Sequence, residues 1–395
     1  MGQVARQVGP EKFGEISLYG ITISIIGSII MFGTDIITLP LISRRKGLAA
    51  TRILQNVFQI RLYIYILLLI IFFIFLSICE VEKYYILLPL AGVFYLLNIA
   101  EININSLGDN KKIAISYCVA VLISSGLKIV ALFFDLNYQT YIYIHTIELL
   151  LSGFFVFSIS RLSAKFFIIP NINLKIIKII IYRAMPIFVS SFLIMIYTRL
   201  DQVMISKLST LHENGLYSTA FRFIDPFSFL IVALCLVFIP QISDVKKVSI
   251  RIHLLELVII TSIAISIFVI VFSSITIEYI YGVEYLESKK ITLILLASMT
   301  LSFIGITLTR ISAIDNKHKG IVWRVFYGAL INIFLNYFLI PIYGAYGAAF
   351  STVVAQFYAS LIGFYTKDTK YLLVYLLNSI RFRYTREWLL KLCQN

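Results

Sequence analysis

Charged side chains inside long apolar stretches are the first candidates for chemistry in this sequence. An ionised side chain near the centre of a bilayer costs about 2.5–3.5 kcal/mol on insertion scales, so such residues usually line a substrate pathway or pair with one another. We take seven of them as candidates for a substrate cavity or a gate. They are Asp35, Lys128, Glu148, Arg199, Asp201, Arg222 and Asp225.

Lys128 and Glu148 lie deepest in their apolar runs. Glu148 shares a helical face with His145, three residues earlier, and Lys128 shares its face with Ser124. Such polar stripes on apolar helices are expected to face a cavity or the protein interior rather than lipid. Two interpretations of Lys128 stay open: contact with a substrate, or a structural ion pair with Glu148.

The other basic residues of this set, Arg199 and Arg222, occur with Asp201 and Asp225 towards the predicted outer ends of two consecutive apolar helices. An isolated ion in a low-dielectric site is penalised by several kcal/mol, so we expect at least one Arg–Asp contact between these helices. Asp201 with Arg222 is the expected pair, and it would act as a gate that keeps the outer end rigid. The alternative is direct contact with sugar or phosphate, because a guanidinium binds phosphate oxygens bidentately and stays ionised.

No catalytic or metal-binding pattern accompanies these charges. The cysteines have neither CxxC spacing nor clustering with histidines, and no Ser/His/Asp set or phosphate loop stands out. The four cysteines are Cys79, Cys118, Cys235 and Cys393. The sequence therefore predicts a protein that is not an enzyme and needs no metal or cofactor.

The composition explains why these charges are unusual. The chain has 395 residues, of which 60% are apolar and 14% charged, and its mean hydropathy is +0.92. Soluble proteins are about half apolar and about a quarter charged. A soluble enzyme, a DNA-binding domain and a disordered scaffold are thereby excluded, and an all-α polytopic membrane protein is predicted.

Eleven apolar runs have the length of about 17–25 residues that a helix needs to cross a bilayer. They are 16–42, 62–78, 84–100, 113–134, 138–160, 184–206, 216–240, 254–277, 291–309, 325–343 and 344–366. Roughly three quarters of the 34 Lys and Arg residues fall in one alternating set of loops, which the positive-inside rule assigns to the cytoplasm. The C-terminus is then cytoplasmic and the N-terminus outside. The net charge of +14 reflects this topology, and no nucleic-acid partner is expected.

An internal repeat organises the predicted helices. Residues 11–17 (EKFGEIS) resemble 212–218 (HENGLYS), 39–43 resemble 239–243, and 108–112 resemble 314–319. The offset is nearly constant and the orientation is preserved, which indicates two parallel, pseudo-symmetric lobes. We expect an N-terminal lobe of five helices over 1–170, a C-terminal lobe of six over 171–366, and a basic amphipathic cytoplasmic tail over 367–395. The repeat also predicts that the N-terminal lobe lacks its first helix.

Several motifs carry a family resemblance across almost the whole chain. They are VGPEKFGEISL at 8–18, YTRLDQVMISK at 197–207, GLYSTAFR at 215–222, and the asparagine–proline–glycine series from Asn332 to Gly347. Together they resemble the Wzx-type oligosaccharide flippases of the multidrug/oligosaccharidyl-lipid/polysaccharide exporter superfamily. The family normally has twelve helices in two six-helix lobes. By this resemblance, we expect the chain to start at the loop after the family's first helix.

The resemblance implies transport of an undecaprenyl-diphosphate-linked O-antigen repeat unit from the cytoplasmic to the periplasmic leaflet of a bacterial inner membrane, for lipopolysaccharide biosynthesis. Partners would be this lipid-linked oligosaccharide, membrane lipid and other polysaccharide-assembly membrane proteins. Two alternatives stay open. A drug/cation antiporter of the same superfamily would need an acidic cavity, and a membrane-bound polysaccharide polymerase or glycosyltransferase would need an external catalytic loop larger than any here.

Overall fold

Helices form every regular element in the part of the chain that the structure describes. The structure is a computed structural model, and it describes all residues except 44–46, 79–81, 161, 163–172, 243–247, 316, 318–319 and 385–395. Parts of two predicted repeat anchors, 239–243 and 314–319, and the end of the predicted tail therefore lie outside the described residues.

The first half of the chain contains seven α-helices that precede the long central one. They are α1 (Gly2–Met31), α2 (Thr34–Ser43), α3 (Leu48–Ile78), α4 (Leu88–Leu97), α5 (Ile99–Ser106), α6 (Asn110–Phe133) and α7 (Tyr138–Ile159). The second half begins with that long helix and contains six more α-helices. They are α8 (Leu174–Leu208), α9 (Leu211–Arg222), α10 (Ser228–Ile242), α11 (Val248–Thr276), α12 (Glu287–Ile314), α13 (Ile321–Ser360) and α14 (Lys370–Ser379).

Nine helical segments within the described residues are long and apolar enough to cross a membrane. The prediction of an all-helical, multi-pass membrane protein is therefore confirmed, although the number differs from the eleven predicted runs. The runs 325–343 and 344–366 fall on one 43-residue segment, Val322–Phe364, which contains nearly all of α13. The run 184–206 lies on α8, a helix of 35 residues that is not among the nine.

The bends inside the long helices occur at glycines that follow or precede a proline. Gly9 has φ 76° inside α1 and stands before Pro10; Gly344 has φ 54° inside α13, three residues after Pro341. Only glycine adopts such left-handed backbone angles without a steric penalty, and proline removes one helical hydrogen bond. α13 is therefore two helical arms joined at Gly344, which explains how two predicted runs share one element.

The contacts of the chain divide it into two compact units. Unit 1 comprises Met1–Glu15 and Tyr197–Asn395, and unit 2 comprises Ile16–Ile196. This division differs from the lobe boundary at residue 170 expected from the sequence, because α1 and α8 are long helices whose two ends pack in different units. We use these unit names below.

The first fifteen residues are part of the core of unit 1. Ala5 and Phe13 are fully buried in the same apolar cluster as Leu216 and Tyr285. The Tyr285 hydroxyl donates to the carbonyl oxygen of Ala5 at 2.9 Å. The amide of Asn214 donates to the carbonyl oxygen of Gly14 at 3.0 Å. The short polar N-terminal segment is thus held to the rest of unit 1 both by burial of its apolar side chains and by hydrogen bonds.

The glycines of one predicted repeat pair meet where α1 and α9 cross. A Cβ atom at Gly14 would lie 2.0 Å from the carbonyl oxygen of Leu211, and a Cβ atom at Gly215 would lie 1.9 Å from that of Pro10. Both distances are far below van der Waals contact, so the crossing requires glycine on each side. Gly14 faces Leu211, four residues before Gly215, and Gly215 faces Pro10, four residues before Gly14. This reciprocity is expected of two segments related by a local two-fold axis.

Candidate functional site

The carboxylate of Asp201 is the most deeply buried of the predicted site residues. Asp201 is 1% exposed and lies on α8. Its Oδ2 accepts hydrogen bonds from the hydroxyls of Tyr217 at 2.8 Å and Thr352 at 2.6 Å. Its Oδ1 accepts one from the side-chain amide of Asn336 at 2.6 Å. Donors from α9 and from both arms of α13 therefore converge on one carboxylate of unit 1.

The oxygen atoms around Asp201 could hold a proton or a hard monovalent cation. The donors to Asp201 are neutral groups, so they stabilise the carboxylate without neutralising its charge. Asn332 is fully buried beside this group, and the Oδ1 of Asn336 is buried without a hydrogen-bond donor. Carboxylate, amide and hydroxyl oxygens are the ligand types of hard cations. Among the described residues, no group of three or more His, Cys, Asp or Glu residues is placed to bind a metal ion.

The predicted ion pair between Asp201 and Arg222 is wrong. All the hydrogen bonds described for the Asp201 carboxylate come from hydroxyl and amide groups. The contact that links α8 to the following segment is instead a salt bridge of 3.1 Å between Arg199 and Asp225. The charges were correctly expected to produce an Arg–Asp contact, but spacing along two helices could not show that α13 supplies two of the three donors to Asp201.

Arg222 has a different environment from the one predicted. Its guanidinium lies over the ring of Phe13, 4.6 Å from the ring centroid, which is a favourable cation–π arrangement. Arg199 is close enough to interact with it electrostatically. Within the described part of the chain, no carboxylate lies within salt-bridge distance of Arg222. The described partner of this guanidinium is therefore an aromatic ring rather than a carboxylate.

Lys128 and Glu148 form an ion pair inside unit 2. The Lys128 Nζ lies 2.7 Å from Glu148 Oε2, and the Ser124 hydroxyl donates to the same oxygen at 2.6 Å. The two side chains are 12% and 20% exposed, so most of the pair is covered by protein. The structural ion pair, one of the two interpretations of Lys128, is thus formed between α6 and α7.

Asp35 lies in the first turn of α2, where the helix dipole favours a negative charge. It is close enough to Arg61 to interact electrostatically. Arg61 is 0% exposed; its Nε donates to the Thr34 hydroxyl at 3.0 Å and its Nη1 to the Tyr95 carbonyl oxygen at 3.3 Å. In the sequence, Arg61 stands just before the predicted apolar run 62–78, where a loop is expected. Because α3 begins earlier, at Leu48, this arginine is inside the fold.

Sequence reasoning also missed Asn332, Asn336 and Thr352 as parts of the site. Asn332 and Asn336 are four residues apart, so they share one helical face of an apolar segment. This polar stripe is the same kind of signal that singled out Lys128 and Glu148. It could have identified the two asparagines, but not the carboxylate that they approach.

A family profile decides the broad relationship. A profile described as polysaccharide biosynthesis protein matches residues 3–290, well over half of the chain. The chain belongs to this polysaccharide biosynthesis family. A search of curated protein sequences finds no significant match for this family member.

Solved structures of flippases and transporters share its fold. One is "Lipid II flippase MurJ, inward closed conformation", with a TM-score of 0.68 and 19% identity, covering 96% of this chain and 88% of that chain. Another is a multidrug resistance MATE family transporter of the MOP superfamily, in an inward-facing conformation, with a TM-score of 0.69 and 15% identity over 97% and 94%. An outward-facing MATE structure gives 0.58 and 15% over 97% and 91%. This member of the polysaccharide biosynthesis family therefore has the fold of the exporter superfamily that its motifs resemble.

Proposed function

We propose that this protein moves a lipid-linked oligosaccharide, an undecaprenyl-diphosphate-linked O-antigen or related repeat unit, from the cytoplasmic to the periplasmic leaflet of a bacterial inner membrane by alternating access. The observation that carries the proposal is the fold shared with a lipid II flippase over 96% of the chain. Membership of a polysaccharide biosynthesis family supports the same class of substrate. In this proposal the chain is a Wzx-type flippase with a cytoplasmic C-terminus.

Arg222 supplies the chemistry that an anionic lipid headgroup needs. Its guanidinium is held over Phe13 and has no carboxylate partner among the described residues, whereas the nearby Arg199 is bound to Asp225. A diphosphate offers paired oxygens that match the planar fork of a guanidinium. Arg222 would therefore bind the diphosphate of the substrate.

A second candidate function, export of a cationic drug coupled to a proton or cation, is favoured by Asp201. Its buried carboxylate could exchange a positive charge during transport, and MATE transporters share the fold. Arg222, which has no carboxylate partner among the described residues, and the family profile favour the lipid-linked substrate instead.

The experiment uses the full chain in proteoliposomes that contain a lipid-linked oligosaccharide. Translocation is measured as the gain of access of an external glycosidase to the sugar. We expect protein-dependent translocation in the wild type, a loss on the order of tenfold or more in Arg222→Gln from the missing charged hydrogen bonds, and partial activity in Arg222→Lys. Lys207→Gln, an exposed charge in the last turn of α8, is the matched control and should behave as wild type.

Two results would contradict the proposal. If Arg222→Gln translocates the lipid as fast as Lys207→Gln does, Arg222 does not bind the diphosphate. If the wild type translocates no lipid-linked sugar but exports a cationic dye, the second candidate function is correct.

A further inference from the structure

The short helix α14 has two apolar faces, and only one of them is covered by protein. Leu372, Leu376 and Ser379 are buried, and the two leucines belong to the apolar core of unit 1. On the opposite side, Val374 is 54% exposed and Leu377 is 65% exposed. A surface helix normally presents charged or polar residues opposite its buried face. The second apolar face therefore needs an occupant other than water.

Basic residues lie at both ends of this exposed face. Lys370, Val374 and Leu377 follow the spacing i, i+4 and i+7, which places them in one line along the helix, and Arg381 stands in the turn that follows the helix. All four are exposed, as is Lys367 in the preceding turn. A short apolar strip between positive charges complements the headgroups and upper acyl chains of an anionic leaflet.

α14 is attached firmly to unit 1. The Tyr371 hydroxyl donates to Asp315, and Arg251 binds the same carboxylate through both terminal nitrogens at 2.8 and 2.9 Å. Burial would raise the pKa of Asp315, but these hydrogen bonds outweigh it and hold the pKa below the usual aspartate value. Beyond the helix, the backbone N–H of Tyr384 donates to Glu256 at 3.2 Å. The helix thus moves with α11 and α12 rather than as a free tail.

The position of α14 along the chain places it at a membrane–water boundary. Arg324, in the first turn of α13, lies over the ring of Phe364, which follows the end of that helix. The guanidinium is 3.7 Å from the ring centroid, so the two ends of α13 lie close together. Exposed aromatic residues, Trp323 and Tyr365, stand at this point, and such residues mark membrane interfaces. A turn closed by the Thr366 carbonyl oxygen and the N–H of Lys370 then leads directly into α14.

We propose that the exposed face of α14 docks on the anionic lipids of the adjacent leaflet. Val374 and Leu377 enter the boundary between headgroups and acyl chains, and Lys367, Lys370 and Arg381 bind phosphate groups beside them. Because Tyr371 and the buried leucines tie the helix to unit 1, lipid binding anchors that unit to the leaflet. This inference does not rest on the identity of the transported substrate.

The test uses the full chain with its native cysteines replaced, reconstituted in vesicles that contain phosphatidylglycerol and phosphatidylcholine. An environment-sensitive fluorophore is attached at Leu377→Cys, and Asp368→Cys in the exposed turn is the matched control. Spin-labelled phosphatidylglycerol should quench the probe at 377, while aqueous iodide should quench the probe at 368. The preference for spin-labelled phosphatidylglycerol over spin-labelled phosphatidylcholine should fall by about fivefold for each charge removed in Lys370→Gln and Arg381→Gln.

Three outcomes would overturn the proposal. Quenching of the probe at 377 by iodide would mean that the face is solvated. Protection of this probe from both iodide and spin-labelled lipid would mean that protein, such as a second copy of the chain, covers the face. Equal quenching by both spin-labelled lipids, unchanged in the two charge variants, would mean that α14 does not select anionic lipid.

Discussion

The cost of removing the Asp201 carboxylate follows from its three hydrogen bonds. Asp201→Ala leaves three buried donors without their acceptor, and each orphaned buried group costs about 1–3 kcal/mol. Two donors have alternatives: the Thr352 hydroxyl also lies 2.9 Å from the Ala348 carbonyl oxygen, and the Asn336 amide lies 3.2 Å from Asn332 Oδ1. We therefore expect Asp201→Ala to lower the free energy of unfolding by about 3 kcal/mol rather than by the full sum.

Asp201→Asn separates the shape of this side chain from its charge. The new amide can accept from Asn336 through its oxygen and donate to the neighbouring hydroxyl oxygens, so the expected loss is only about 1 kcal/mol. The free energy of unfolding can be measured by titration with sodium dodecyl sulfate in mixed micelles. Asp225→Asn is the matched control, because its carboxylate is 46% exposed and contacts Arg199, and exposed pairs contribute less than about 1 kcal/mol.

The order Asp201→Ala, Asp201→Asn, Asp225→Asn, from most to least destabilised, is the expected result. If Asp201→Ala unfolds within about 1 kcal/mol of the wild type, the reasoning from hydrogen bonds is refuted. A transport assay tests the role of the charge separately from stability. Asp201→Asn should fold but lose transport if the carboxylate exchanges a proton or cation. Wild-type transport in this variant would show that Asp201 has a structural role alone.

Three further predictions concern other parts of the fold. Gly14→Ala should destabilise unit 1 by more than about 2 kcal/mol, since overpacking against backbone typically costs about 1–3 kcal/mol. The control is Gly126→Ala, which has nothing within 4 Å of its Cβ and should raise the free energy of unfolding by up to about 1 kcal/mol. Equal effects of the two variants in the same titration would contradict the close crossing. Lys128→Met should lower the free energy of unfolding by about 2 kcal/mol, because it leaves Glu148 without its lysine partner. The double variant Lys128→Met with Glu148→Gln should recover most of this loss. A double variant no more stable than the single one would show that the pair is not coupled. The pKa of Asp315 is depressed in the folded state, so its stabilising contribution is present above the unfolded pKa and is lost as pH falls through the lower folded value. A probe on α14 should therefore stay immobile at pH 7 and gain mobility only below about pH 4. A transition near neutral pH would refute this assignment.

The sequence predicted those parts of the site that depend on neighbouring helices. Lys128 and Glu148 lie on α6 and α7, which are consecutive and joined by a short connection, so their positions along two apolar runs were sufficient to suggest the pair. The repeat also predicted that Gly14 and Gly215 occupy equivalent positions, whereas their contact is seen only in the structure.

The partners of Asp201 could not be found in this way. Asn336 and Thr352 are 135 and 151 residues away in sequence, and the bend at Gly344 determines how the two arms of α13 approach α8. The nearest charged candidate, Arg222, instead lies over Phe13, which reaches it from the other end of the chain. Charge spacing along a chain shows which ions need partners, but it does not show which distant helix supplies them.

Composition and hydropathy by themselves determined that the chain is a helical, multi-pass membrane protein, because burial of backbone polar groups in lipid permits few other structures for such long apolar runs. The tertiary structure alone decided that the first fifteen residues belong to unit 1, that Asp201 is held by neutral donors, and that α14 keeps one apolar face uncovered. The physical reason is that hydrophobicity is a property of each segment, whereas hydrogen-bond partners and covered faces arise only when segments distant in sequence pack together.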